Sequence, residues 1–162
     1  MIEACIQVKM TLGYQTTNAG LVRCWGDNSG GQQAAAVPSD LGPATDVVTG
    51  RAHTCAVTTN AAVRCWGSNG NGEATVPNDL GPVIAVSAGG FHTCAVTSLQ
   101  VVRCWGANDN GQASVPGDLG PATVVAAGRA HSCAVTTRGA VRCWGAYAYG
   151  QARVPDDLGS VS

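Results

Sequence analysis

Along most of the chain, short apolar stretches alternate with turns rich in glycine, proline and asparagine. In the last full copy of this pattern, ATVVAAG at 122–128 reads as a strand bounded by proline and glycine. SCAVTT at 132–137 and AVRCW at 140–144 read as two more, dense in β-branched and aromatic residues around the turn TRG. QARVP at 151–155 reads as a fourth, edge strand, because its proline cannot donate to a central ladder. No apolar residue recurs every three or four positions for long enough to support a helix. The predicted unit is a small antiparallel meander.

This unit repeats. Trp25, Trp66, Trp105 and Trp144 lie 41, 39 and 39 residues apart, each in RCWG, and DLG recurs at Asp40, Asp79, Asp118 and Asp157. Gly50, Gly89 and Gly128 close apolar stretches at the same interval. A three- or four-stranded unit repeating at about 40 residues predicts the blades of a β-propeller. A β-helix repeats at a shorter period, and a continuous sandwich gives the near-identity of the repeats no cause. The expected fold is all-β: a β-propeller or half-propeller of antiparallel blades braced by cross-strand disulfides. It forms a single repeat domain over 1–162, with four hairpin modules at approximately 1–37, 38–76, 77–115 and 116–155, and 156–162 starting a further unit.

The disulfides follow from register. With Thr137, Arg138 and Gly139 as a three-residue loop and Gly139 left-handed, Thr136 faces Ala140 and, counting back, Cys133 faces Cys143 on a non-hydrogen-bonded pair. Such a pair sets the Cα atoms about 4.5 Å apart, the near limit for a disulfide. The same count pairs Cys94 with Cys104 and Cys55 with Cys65. Two alignments remain for Cys5 and Cys24. One pairs them and makes KMTLGYQTTNAG a long hairpin arm; the other keeps a short hairpin, sets Tyr14 opposite Cys24 and leaves both cysteines unmatched. The first is favoured, since an extended loop costs little. Two sulfurs per hairpin on separate sheets do not suit a tetrahedral metal site, and no CxxC redox pair is present. Disulfides place the chain in an extracellular or periplasmic setting.

Composition narrows the chemistry further. Nine basic and ten acidic residues give a net charge of −1 with no basic cluster, so no phosphate-tracking surface for nucleic acid is expected. No apolar run is long enough to span a membrane, and MIEACIQVKM does not read as a secretory signal. No phosphate loop, nucleophile elbow or zinc-protease motif is present, and no metal or cofactor is implied. His53, His92 and His131 recur just before a strand and are read as structural, bonding to neighbouring backbone. Trp25, Trp66, Trp105 and Trp144 are read as packing between blades. Arg23, Arg64, Arg103 and Arg142 are candidates to pair with the DLG aspartates. Tyr147 and Tyr149, in AYAYG, form the one unusual aromatic cluster and are the candidate binding residues.

VVAAGRAHSCAVTTRGAVRCWGAYAYGQARVP at 124–155 resembles the repeat of the regulator of chromosome condensation family, looking most like bacterial members such as the β-lactamase inhibitory protein branch. Gly128, His131, Gly139, Trp144, Gly145, Gly150 and Gln151 match the family's structural positions. The resemblance covers roughly 38–159, and LVRCWGDNSGGQ extends it into the first module. It implies a propeller fold and no shared activity, since members include exchange factors, chromatin binders and inhibitors, each using its own loops. Those propellers usually close with seven blades, whereas this chain has four modules and stops in DLGSVS, inside what would be the next inner strand. Excision from a longer protein, or a homodimer of two chains completing one ring, is expected over tight four-blade closure. The expected function is a noncatalytic protein-binding or scaffold module with an unknown protein partner. A secreted enzyme inhibitor and a carbohydrate-binding or hydrolytic propeller are the alternatives.

Overall fold

The computed structural model describes residues 4–8, 21–25, 36–155 and 158, with side chains left out of the description for 4–8 and 25. Three successive sheets each contain three antiparallel strands. The second blade has β3 (Ala44–Thr49), β4 (His53–Thr58) and β5 (Val63–Gly67). The third has β6 (Val83–Ala88), β7 (His92–Thr97) and β8 (Val102–Gly106). The fourth has β9 (Ala122–Ala127), β10 (His131–Thr136) and β11 (Val141–Gly145). Ahead of them, β1 (Ala4–Val8) pairs with β2 (Leu21–Trp25).

The register follows the hairpin count. Thr136 N–H donates to Ala140 C=O, Gly139 has φ 78°, and Cys133 lies opposite Cys143. Ala61 and Gln100 hold the same left-handed loop position, with φ 62° and 63°, where a side chain is disfavoured. Disulfides join Cys55–Cys65, Cys94–Cys104 and Cys133–Cys143 across Cα separations of 4.1, 4.1 and 4.0 Å. The β1–β2 register sets Cys5 opposite Cys24, as in the first of the two alignments. The intervening arm, Tyr14, Asp157 and the side chains of Cys5 and Trp25 lie outside the described residues.

The expected fourth strand at 151–155 does not form. Gly150 turns the chain, with Arg153 N–H donating to its carbonyl, and the following residues run out without a ladder. In the preceding copies the same segment contributes one apolar side chain, Val76 or Val115, which packs against an inter-blade core. A single half-buried valine beside a proline is a plug, and it needs no partner strand.

The cores lie between blades. Strand alternation sends Cys55, Val57 and Val63 to one face of the second blade, where they meet Leu80, Val83, Val86, Ala95 and Trp105 of the third. Cys94, Val96 and Val102 meet Leu119, Ala122, Val125, Ala134 and Trp144 of the fourth in the same way. The Cys55–Cys65 and Cys94–Cys104 faces are thus each covered by the tryptophan face of the next blade. The middle strand β7 is buried at every position, whereas His131, Cys133 and Val135 of β10 are half-buried. Arg64, Arg103 and Arg142 each reach an aspartate 24 residues upstream, Asp40, Asp79 and Asp118, at 3.0, 3.1 and 3.2 Å. The Arg103 guanidinium beside Asp79 holds that carboxyl below its usual range. These pairs are solvent-exposed and add little to stability; they orient the DLG turn whose leucine packs in the core.

Close approach at the inner strands requires glycine. A Cβ on Gly89 would lie 2.5 Å from both the Gly128 carbonyl oxygen and His92 Cε1. Gly89→Ala is expected to destabilise the chain by about 2 kcal/mol through forced displacement of an adjoining blade. Urea denaturation followed by far-ultraviolet circular dichroism checks this; an unchanged midpoint refutes the tight contact.

Candidate binding site on the loop rim

Because the strands of each blade are antiparallel, two sets of loops gather at one end. One set joins inner to middle strands (50–52, 89–91, 128–130), and the other follows each third strand (68–73, 107–112, 146–151). Hydrogen bonds between blades hold this rim. His53 Nε2 lies 2.9 Å from Thr93 Oγ1, which donates to the Glu73 carbonyl at 2.8 Å. His92 Nε2 lies 2.9 Å from Ser132 Oγ, which donates to the Gln112 carbonyl at 2.9 Å. Each hydroxyl has committed its proton, so each imidazole donates from Nε2 and its Nδ1 is unprotonated. Trp105 Nε1–H and Trp144 Nε1–H donate to the same two carbonyls, at 3.0 and 2.9 Å. His53 and His92 therefore bond to a hydroxyl of the next blade, a correction to the expected backbone partner, and all three histidines begin their strands instead of preceding them.

The loops themselves are pinned from inside. Glu73, fully buried, accepts from Asn71 N–H and Ser68 Oγ, and Gln112 accepts from Asn110 N–H. Burial pushes the Glu73 carboxyl up, but its backbone and Ser68 hydrogen bonds, with His53 nearby, outweigh that and hold it below the ordinary value. Asn69 and Asn108 close their loops through side-chain bonds to Ala74 N–H and Ala113 N–H.

Burial, together with His53 and His131 nearby, lowers the His92 pKa to about 4. Its Nδ1 is buried with no acceptor for an added proton. On acidification the unfolded chain, titrating near 6.5, takes up that proton first. The stability present above pH 6.5 is therefore lost as pH falls toward 4, at up to about 1.4 kcal/mol per pH unit. Nuclear magnetic resonance titration of the His92 ring checks this; a midpoint near 6.5 refutes it.

Against this shared frame, a few rim positions break the repeat. GRAH at 50–53 and 128–131 becomes GGFH at 89–92, so Phe91, the chain's one phenylalanine, stands where the other blades have alanine. Arg51 stacks over its ring at 5.2 Å. In the fourth blade Tyr147 and Tyr149 replace the asparagines of the earlier loops. The Tyr149 backbone N–H keeps the structural bond to Gln151, while the two side chains are 81% and 94% exposed. A groove of about 780 Å³ crosses the rim between the third and fourth blades, lined by Phe91, Asp109, Asn110, Arg129 and Tyr149 among others. Tyr147 is exposed on the same loop but outside this lining. Sequence reading singled out the tyrosines and passed over Phe91, Arg51 and Arg129; a column-by-column comparison of the repeats carries the signal for all three.

The strand pattern, blade interfaces and 39-residue period define a β-propeller built from tandem repeats. Residues 44–73, 83–112 and 123–151 match the regulator of chromosome condensation (RCC1) repeat, over half of the chain, and the chain belongs to this family. No curated protein sequence matches it. Among solved structures it is similar to the ectodomain of the Physcomitrella patens receptor kinase CR4. The identity there is 24%, over 88% of this chain and 38% of that one, with a TM-score of 0.67. The CRINKLY WD40 ectodomain of Arabidopsis thaliana ACR4 is 25% identical over 80% of this chain and 45% of its own, with a TM-score of 0.62. Saccharomyces cerevisiae Prp20p, described with its binding to Gsp1p and histones, is 18% identical over 78% of this chain and 41% of its own, with a TM-score of 0.66. The chain thus spans about two fifths of the length of these proteins.

Proposed function

We propose that this chain is a noncatalytic protein-binding propeller module that engages its partner through the rim groove. One observation carries the reading. The structural positions of the repeat are kept from blade to blade, while the departures that present Phe91 and Tyr149 converge on one groove. Aromatic side chains on a rim, beside an arginine, are the usual anchors of protein interfaces. Prp20p's binding to Gsp1p and histones supports protein binding on this fold. The disulfides and the likeness to receptor ectodomains support an extracellular or periplasmic setting.

A photo-crosslinking residue placed at Tyr149, and separately at exposed Leu99 on the opposite rim, tests the reading. Crosslinking to a protein from position 149 alone is expected, with Phe91→Ala weakening association about thirtyfold. Equal crosslinking from both positions, or binding indifferent to Phe91, refutes the groove as the interface.

A further inference from the structure

Resting on that reading, we propose that the segment seated on the rim is an acidic peptide, its carboxylate held between Arg51 and Arg129. Three of the four RCWG arginines, Arg64, Arg103 and Arg142, are already paired with aspartates. Arg51 and Arg129 lie on the loop rim, exposed, and among the described residues neither forms an ion pair. They occupy matching positions in the second and fourth blades, and the third blade has Gly90 between them. A cavity of about 660 Å³ opens there, floored by the Gly50, Gly89 and Gly128 row and bordered by both arginines. Arg129 also lines the groove that holds Phe91 and Tyr149, so the two depressions meet at this residue.

Gly90 cannot be replaced by a third side chain at this point. Its Cβ would collide with the Arg129 backbone carbonyl. The gap between the two cations is therefore built into the packing of the inner strands. The Arg51 and Gly90 amides are already committed: Arg51 N–H donates to Gly89 C=O and Gly90 N–H to Gly128 C=O. Recognition falls to the guanidiniums, whose planar forks suit a carboxylate. Arg51 is steered by its stacking on Phe91, which lowers the entropy lost when it binds. Asp109 lines the far groove and repels a second acidic group there, so that side takes the apolar or aromatic residues of the peptide against Phe91 and Tyr149. The order along the bound segment is acidic residue over the glycine row, then apolar residue in the groove.

Panning a displayed random dodecapeptide library on the intact chain tests this. The expected result is at least tenfold enrichment of peptides with Asp or Glu beside an apolar residue. That enrichment is lost on R51Q/R129Q, retained on R142Q and weakened by raised salt. Peptides enriched without acidic preference, yet lost on F91A/Y149A, overturn the acidic assignment and leave the rim interface standing. Enrichment indifferent to F91A/Y149A, or none at all, overturns both. Arginine-dependent binding of a dT12 oligonucleotide without any acidic peptide overturns the proposal in favour of a phosphate ligand.

Discussion

Replacing Trp105 with alanine lowers the unfolding free energy by about 4 kcal/mol. The indole is 8% exposed and closes the layer between the second and third blades, against the Cys55 face on one side and Leu80 and Val83 on the other. Its removal leaves a cavity at an interface whose two walls are rigid sheets, so collapse recovers little. The lost hydrogen bond to Glu73 adds less, because that carbonyl still accepts from Thr93. Trp105→Phe separates the two effects: it keeps most of the apolar volume and is expected to cost about 1.5 kcal/mol. Urea denaturation of both variants, followed by circular dichroism, checks the ratio. A loss below 1 kcal/mol for the alanine variant shows that the blades do not depend on this contact.

Removing a cross-strand disulfide has an effect of similar size by a different route. Cys94→Ala with Cys104→Ala frees a loop of ten-residue separation in the unfolded chain, which destabilises the fold by about 3 kcal/mol. For a domain of this length that lowers the melting temperature by about 9 °C. Cys94 is fully buried beneath the fourth blade, so the same variant also loosens the packing of Val125 and Trp144. Among the three described disulfides, reduction under mild conditions is expected to begin at Cys133–Cys143, because there neither residue is buried, whereas Cys55 and Cys94 are sealed. Alkylation of thiols released over time, read by mass spectrometry, checks the order. Early labelling of Cys94 contradicts it, and a double variant melting within 2 °C of the parent contradicts the stability estimate.

Both predictions concern residues that the repeat itself brings forward, and this is why so much of the fold was legible beforehand. A strand's side-chain period of two, a turn of known length and a pair of cysteines at fixed spacing leave one register, and Cys133 opposite Cys143 follows from counting alone. Tryptophan, leucine and glycine at a constant interval imply blades, since each can bury its apolar face only against the next. The segment at 151–155 failed as a strand because local composition cannot say whether a valine pairs along an edge or plugs a core.

The rim required the tertiary structure. Phe91, Arg51 and Arg129 lie in three different repeats, and nothing in their local sequence says that their loops share one end. Antiparallel pairing within each blade and stacking of inner strands across blades bring them there, with Arg51 on the Phe91 ring and Arg129 bordering both depressions. The histidines show the same division. Their recurrence marked them as structural, but for His53 and His92 the acceptor was a hydroxyl roughly 40 residues away on the next sheet, reached only when the blades pack. Periodicity therefore determined strands, register, disulfides and the repeated core by itself, because those depend on neighbours in sequence or on one repeat meeting its copy. The candidate binding surface and the proton order of His53 and His92 depend on positions where the copies differ or touch, and packing alone decided them.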